Sequence, residues 1–176
     1  MILHTERLLL REITEDDGSA VLAYQRHPLF SRYYHWSERT EADVRLFLQQ
    51  FLEWQEEEPR SKFSFAITLE GTMIGIASLR RPTSEAPLAE IGYELSPEHW
   101  GRGYAREAAG ALLEFGFGEL GLHRLGAHCV AENTASARVL EKVGMLREGR
   151  LRENEFFKER WWDTLLYGIL AREWTT

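Results

Sequence analysis

The sequence predicts a mixed α/β fold in which a mostly antiparallel central sheet is flanked by helices. Three observations carry that prediction. The hydrophobic period switches repeatedly between 2 and 3.6 along the chain. The middle third reads as consecutive strands joined by short turns. Helix-start signals cluster near both ends instead of following every strand. No repeat, low-complexity tract or Pro/Gly-rich linker divides the 176 residues, so a single domain over residues 1–176 is expected.

The first strand is read at Leu8–Glu12. Thr14, with Asp17 three places on, then offers a side-chain oxygen to unpaired amides and starts a helix running towards Gln25. Thr40 and Asp43 repeat that signal before a longer helix with Val44, Phe47, Leu48 and Phe51 on one face. The aromatic stretch between them (Phe30, Tyr33, Tyr34, Trp36) either packs between the helices or walls an acceptor pocket. Phe63, Phe65 and Ile67 alternate with Ser64, Ala66 and Thr68, Glu70-Gly71 suits a tight turn, and Met73–Leu79 returns. Pro82–Pro87 is a loop. Leu88–Leu95 is the next strand, with Ile91, Tyr93 and Leu95 on one side and Glu90, Gly92 and Glu94 on the other. A helix over 105–120, a strand over Arg124–Val130, a short helix over Thr134–Val143 and strands over Leu146–Arg152 and Trp161–Leu170 complete the chain. Trp161 and Trp162 are adjacent on the last strand, so one points inward; the outward one marks a homodimer surface or an acceptor wall.

Composition narrows the function. Lys plus Arg number 21 against 28 for Asp plus Glu, a formal charge of −7. Holding nucleic acid by phosphate neutralisation needs a basic face, so no nucleic-acid partner is expected. Cys129 is the only cysteine, which excludes an intrachain disulfide and a thiolate zinc cage; His123 and His128 do not supply zinc-ligand spacing, and no metal is expected. The start of the chain has no signal-peptide core and no uncharged apolar run approaches a membrane span of ~20 residues. A soluble cytoplasmic protein without a membrane partner is therefore the expectation. Glu56-Glu57-Glu58 is a solvated helix end or a lure for a basic acceptor.

The chemistry concentrates between a strand and a helix, in Ser96-Pro97-Glu98-His99-Trp100-Gly101-Arg102-Gly103-Tyr104-Ala105-Arg106. Gly101 and Gly103 admit positive φ and close approach of a ligand, and the helix that follows presents amides without intrahelical acceptors. Arg102 and Arg106 add two positive charges, and Ala105, Ala108 and Ala109 offer a small-residue face for close approach. This describes a pyrophosphate cradle. It is neither a Rossmann turn, which would want glycine at Arg106, nor a P-loop, and the hydrolase elbow Gly-x-Ser-x-Gly does not occur. Further on, Asn133 suits the N-cap of the short helix and Gly144 its end. Ser136 falls on the face of Val139, Leu140 and Val143, where an inward hydroxyl needs a partner, an i−4 carbonyl or a ligand.

The blocks Glu90–Leu95, Trp100–Ala105 and Asn133–Met145 together resemble the GNAT family of acyl-CoA-dependent N-acetyltransferases. The opening Thr5–Arg11 and the closing stretch Asp163–Trp174 look like the branch of the ribosomal-protein N-terminal acetyltransferases RimJ and RimL. The resemblance covers nearly the whole chain; Trp100 stands where the family often has Gln or Arg. It implies the GNAT fold, with acetyl-CoA as co-substrate between splayed fourth and fifth strands of the family sheet. The backbone at Leu95 and Ser96 would pair with the pantetheine arm, and the amides from Gly101 through Arg102, Gly103, Tyr104 and Ala105 to Arg106 would hold the pyrophosphate. Asn133 and Ser136 would lie near the thioester. An amide at the Glu94–Ser96 strand end would polarise the carbonyl.

Direct attack by an amine then asks for two proton transfers. An α-amine with pKa near 7.7–8.0 is ~10% neutral at pH 7, at a deprotonation cost of about 1.4 kcal/mol; a lysine near 10.4 costs about 4.6 kcal/mol. Ser136 is the candidate donor to the departing thiolate, since the Tyr that many family members carry on that helix is missing here. Glu90 or Glu94 is the candidate base, against the plainer reading of each as an exposed or ion-paired carboxylate. The expected acceptor is a protein or peptide α-amine, with a small-molecule amine as the alternative. A non-catalytic acyl-CoA-binding module is the reading from another class.

Overall fold

The computed structural model describes residues 1–174. Eight strands form one sheet in the order β1-β2-β3-β4-β5-β6-β8-β7. These are β1 (Ile2–His4), β2 (Leu8–Glu12), β3 (Lys62–Leu69), β4 (Thr72–Arg80), β5 (Leu88–Leu95), β6 (Arg124–Val130), β7 (Leu146–Phe157) and β8 (Arg160–Leu170). The helices are α1 (Gly18–Gln25), α2 (Glu41–Gln55), α3 (Tyr104–Glu114) and α4 (Thr134–Lys142). Every neighbouring pair is antiparallel except β5 and β6. Parallel neighbours need a crossover, which α3 supplies.

Local signals place most elements where the sequence puts them. Thr40 accepts the Asp43 amide and Asp43 the Thr40 amide, a reciprocal cap that stabilises α2 by about 1 kcal/mol. Asp17 is drawn into a tighter structure than a simple cap. It accepts the Thr14 amide and pairs with Arg11 at 2.6 Å, holding a short 3₁₀ turn ahead of α1. The strand β1 is an element the sequence reading lacks: three residues are too few for a periodic signal.

Alternation along β3 suggests a polar face, yet Phe63 through Thr68 are all buried. Both faces of the sheet are covered, by α3 and α4 on one side and by α1 and α2 on the other. The polar residues on β3 are satisfied inside: Ser64 and Ser78 hydroxyls meet at 2.8 Å, and Thr68 donates to the Leu9 carbonyl at 2.9 Å. The expectation that Ala108 and Ala109 leave room for a ligand is also corrected. Both are fully buried against the sheet, so their small size serves close helix–sheet packing. Helix α3 ends at Glu114, and residues 115–119 continue as a π-helical turn.

The edge strand β7 runs to Phe157, five residues past its expected end, with irregular pairing at two places. Most of its side chains are exposed on both faces, which removes the alternation that marks a strand in sequence. Trp162 is buried and Trp161 is 54% exposed, as the adjacent pair requires. No helix among the described residues is long and apolar enough to cross a membrane.

Candidate active site

The parallel pairing of β5 and β6 is short. It covers Leu88, Ala89 and Glu90 against Arg124, Leu125 and Gly126 and then stops, so the strands part. Antiparallel pairing to β4 proceeds along the other edge of β5 as far as Leu95, and the Ser96 amide donates to the Ile74 carbonyl at 2.8 Å. Backbone groups alternate along a strand. Those of Glu90, Gly92 and Glu94 therefore turn to β4, and those of Tyr93 and Leu95 turn into the gap left by β6. The Trp100 indole donates to the Leu95 carbonyl at 2.8 Å, which leaves the Leu95 amide facing the gap. Gly75 permits this arrangement: a Cβ there would stand 2.2 Å from the Glu94 carbonyl oxygen.

At the end of β5 the chain makes the glycine bend. Gly101 and Gly103 have φ of +75° and +85°, and no atom lies within 4 Å of a Cβ placed on Gly101. Gly103 is the N-cap of α3, no side chain caps it, and the Glu107 amide makes the first bond back, to the Gly103 carbonyl. The amides of Tyr104, Ala105 and Arg106 thus precede the first intrahelical bond. Arg102 and Arg106 are exposed and stand in none of the ion pairs among the described residues. Arg7 braces the bend from the β1–β2 turn: it pairs with Glu107 at 2.7 Å, donates to the Arg102 carbonyl and lies over the Tyr104 ring. Thr5 adds a 2.6 Å bond to Glu107. Beside the bend opens a cleft of about 640 Å³, with Gly103, Arg106 and Gly110 on one side and Lys142 on another.

Ser136 and Asn133 sit at the start of α4. Asn133 accepts the Ser136 amide at 3.2 Å, the N-cap role that its residue type suggests. The Ser136 hydroxyl lies 3.1 Å from the Tyr93 hydroxyl, and Tyr93 also donates to the Ser136 carbonyl at 3.2 Å. The partner of the inward hydroxyl is thus a phenol from β5. Burial raises the Tyr93 pKa above the ordinary tyrosine value, although its Ser136 bond works against that. Burial likewise pushes the nearby Cys129 thiol up to about 11, which suits a core residue and not a thiolate nucleophile.

Glu94 lies on the opposite face of the sheet, towards α1. Its carboxylate accepts from the Tyr24 hydroxyl at 2.6 Å, the Gln25 amide at 3.0 Å and the Tyr34 hydroxyl at 3.4 Å. Burial raises its pKa; the three donors and the Arg39 charge oppose that rise without cancelling it. The residue as a whole is half-buried, and its carboxylate is recessed among these donors. Burial and the Glu94 charge hold the Tyr24 and Tyr34 phenols well above their ordinary pKa, fixing them as donors. Glu90 stands apart, exposed at the closed end of the gap where β5 still pairs with β6. The structure does not bring the two carboxylates together. Of the aromatic stretch, Phe30 is buried in the core, while Tyr34 and Trp36 stack on it with partial exposure.

A model of the acetyltransferase (GNAT) domain matches residues 7–146 of this chain. The chain belongs to the GNAT family. It is 36% identical to the uncharacterized N-acetyltransferase YnaD of Bacillus subtilis (strain 168), over 99% of either chain. A crystal structure of a GNAT-family acetyltransferase from Bacillus anthracis superposes with a TM-score of 0.85 at 34% identity, covering 98% of this chain and 100% of that one. More distant relatives differ in acceptor. The ribosomal-protein-serine acetyltransferase of Escherichia coli (strain K12) is 33% identical over 58% of this chain and 58% of its own. The spermidine N(1)-acetyltransferase of Vibrio cholerae is 30% identical over 58% of this chain and 59% of its own.

In this GNAT N-acetyltransferase, several residues around the gap lie outside what sequence reasoning selects. Arg7 and Glu107 are 100 positions apart, and Tyr24, Gln25 and Arg39 converge on Glu94 from distant elements, where they meet Tyr34 of the aromatic stretch. Tyr93 carried a signal, its place between Ile91 and Leu95 on the face away from Glu94. Among the described residues no group of three or more His, Cys, Asp or Glu is arranged to hold a metal ion.

Proposed function

We propose that residues 1–176 act as one domain that transfers an acetyl group from acetyl-CoA to a primary α-amine of a protein or peptide, as in the RimJ/RimL-like branch. The observation that carries the reading is the early end of the β5–β6 pairing, beside an uncapped helix start. It leaves backbone donors on both sides of a gap suited to an extended thioester arm. The amides from Gly101 to Arg106 would take the pyrophosphate, assisted by the charges of Arg102 and Arg106 and by the α3 dipole, which contributes ~0.3–1 kcal/mol. Lys142 lines the same adjoining cleft as Arg106 and is suited to a further phosphate.

The residues divide the proton work between the two faces of the sheet. Glu94 accepts the proton of the attacking amine from the α1 side; Glu90 is less suited, being at the closed end of the gap. The Leu95 amide is aimed to stabilise the oxyanion when the amine nitrogen bonds to the carbonyl carbon. When the carbon–sulfur bond breaks, its electron pair goes to sulfur. The Ser136 hydroxyl, tied to Tyr93 at 3.1 Å, then hydrogen-bonds that thiolate and stabilises it until it takes a proton from water. Neutralising an α-amine at pH 7 costs only about 1.4 kcal/mol, so one recessed carboxylate suffices. The kinship with a ribosomal-protein acetyltransferase supports a peptide acceptor. The spermidine enzyme among the relatives gives the second reading, a small amine.

The test is to incubate the protein with acetyl-CoA and a panel of peptides and small amines, and to find by mass spectrometry what gains an acetyl group. Acetylated peptides are the expected result. Labelling of small amines alone would replace the acceptor class, and bound acetyl-CoA with no transfer to any amine would reject the catalytic reading.

A further inference from the structure

Beside Glu94 stands a cation that the transfer chemistry leaves unused. Arg39 precedes α2, and its Nε donates to Gln25 Oε1 at 3.0 Å, while Gln25 Nε2 donates to Glu94 Oε1 at the same distance. One buried carboxamide thus separates a carboxylate from a guanidinium. The two charges form no ion pair, although Arg39 is near enough to favour the charged form of Glu94. The Arg39 guanidinium carbon lies over the Trp36 ring, 4.6 Å from its centroid, and 5.4 Å from that of Phe47. Its only hydrogen bond from the side chain is the one at Nε, among the described residues. The charged groups around it are Glu94 on β5, Asp43 in the first turn of α2 and Arg26 at the end of α1, whose own Nε bonds the Arg39 carbonyl.

A stacked, partly buried guanidinium with two free terminal nitrogens is shaped for a planar anion. Two parallel charge-assisted bonds to a carboxylate are the interaction that this fork makes best. We propose that Arg39 is the anion-binding half of the acceptor site, so that the preferred acceptor carries a carboxylate within a few bonds of its reacting amine. The inference rests on the reading of Glu94 as the group that receives the amine. Glu94 and Arg39 sit one carboxamide apart, which matches an acceptor whose amine and acid are separated by one or two carbons. Two sources share that chemistry: a free α-amino acid, and a peptide whose first residue is Asp. A polyamine is disfavoured, because its second cation would meet Arg39.

The experiment compares kcat/KM for acceptors that differ only in that acid. Peptides beginning with Asp and with Asn form one pair, glutamate and its α-amide the other, and spermidine is added as a dication. The acid member of at least one pair is expected to exceed its amide by about tenfold or more, the worth of a charge-assisted bond. The pair that shows it identifies the source. In Arg39→Gln the ratio of acid to amide should fall to below about threefold, with Arg39→Lys in between. Equal turnover of acid and amide by the unmodified protein overturns the inference and leaves the N-acetyltransferase reading standing, and needs no variant to fold. A preference that survives in Arg39→Gln, or spermidine as the best acceptor, overturns it as well. Failure to acetylate any of these amines while acetyl-CoA binds would overturn the reading of Glu94 and this inference together.

Discussion

On the α3 side of the sheet the groups turned towards the gap are mostly main chain: the Leu95 amide and the unpaired start of α3. On the α1 side they are side chains, Tyr24, Gln25, Tyr34 and Arg39, gathered around Glu94. Main-chain donors are indifferent to residue type so long as the bend forms, and so they suit a ligand part that never changes, such as a pyrophosphate. Side-chain donors change with every substitution, and they suit the part of the reaction that distinguishes one acceptor from another. The contrast between two relatives that act on a ribosomal protein and on spermidine fits that division.

The most damaging single change should therefore be on the α1 side. Glu94→Gln keeps the shape but removes the carboxylate proposed to accept the amine proton, and is expected to lower kcat/KM by about a hundredfold or more with acetyl-CoA affinity retained. Burial raises the Glu94 pKa, so in the unmodified enzyme kcat/KM should fall with decreasing pH while still above the usual carboxylate range. As the pH drops, the carboxylate takes up a proton and can no longer accept one from the amine. Tyr24→Phe removes a donor that favours the charged form, and should move that limb to higher pH. A limb that Tyr24→Phe leaves in place, or a full rate in Glu94→Gln, would move the base elsewhere. On the α3 side, Gly103→Val puts a β-branched residue where φ is +85° and a Cβ would stand 3.3 Å from Arg7. It is expected to weaken acetyl-CoA binding by tenfold or more, ~1.4 kcal/mol, by calorimetry. Unchanged affinity in a folded variant would dissolve the contrast, because the bend would then not be the cradle.

The two sides also differ in how far they are legible in sequence. Trp100–Arg106 is contiguous, and its glycines and helix start declare a backbone site by local rules alone. The caps at Thr40 and Asn133 and the strands β2, β5 and β6 obey local rules too, and they stand where those rules put them. The Glu94 network is invisible in the same terms. Tyr24 and Glu94 are 70 positions apart, and nothing near either residue announces the other. Tyr34 reads first as helix packing and only second as an acceptor wall, and nothing in the sequence sets Arg39 apart from the other charges. The alanines of α3 mislead for a related reason: small size permits close approach, but only the fold decides whether sheet or ligand approaches.

Ser136 and Tyr93 offer the finest test, because they join α4 to β5 beside the gap. The Ser136 hydroxyl is not solely available to a ligand, since it lies 3.1 Å from the Tyr93 hydroxyl. Tyr93 also donates to the Ser136 carbonyl, so Ser136→Ala removes one hydroxyl without leaving the phenol unpaired. The variant should fold, bind acetyl-CoA almost normally and turn over about threefold to tenfold more slowly, a modest loss because a thiolate leaves readily. Tyr93→Phe should slow turnover by a similar or smaller factor, by taking away the group that orients Ser136. If the two hydroxyls act as one donor unit, the double variant should be little slower than Ser136→Ala alone, whereas independent roles would multiply. An unaltered rate in Ser136→Ala would remove this pair from the chemistry and leave it the plainer task of tying α4 to β5 across the gap.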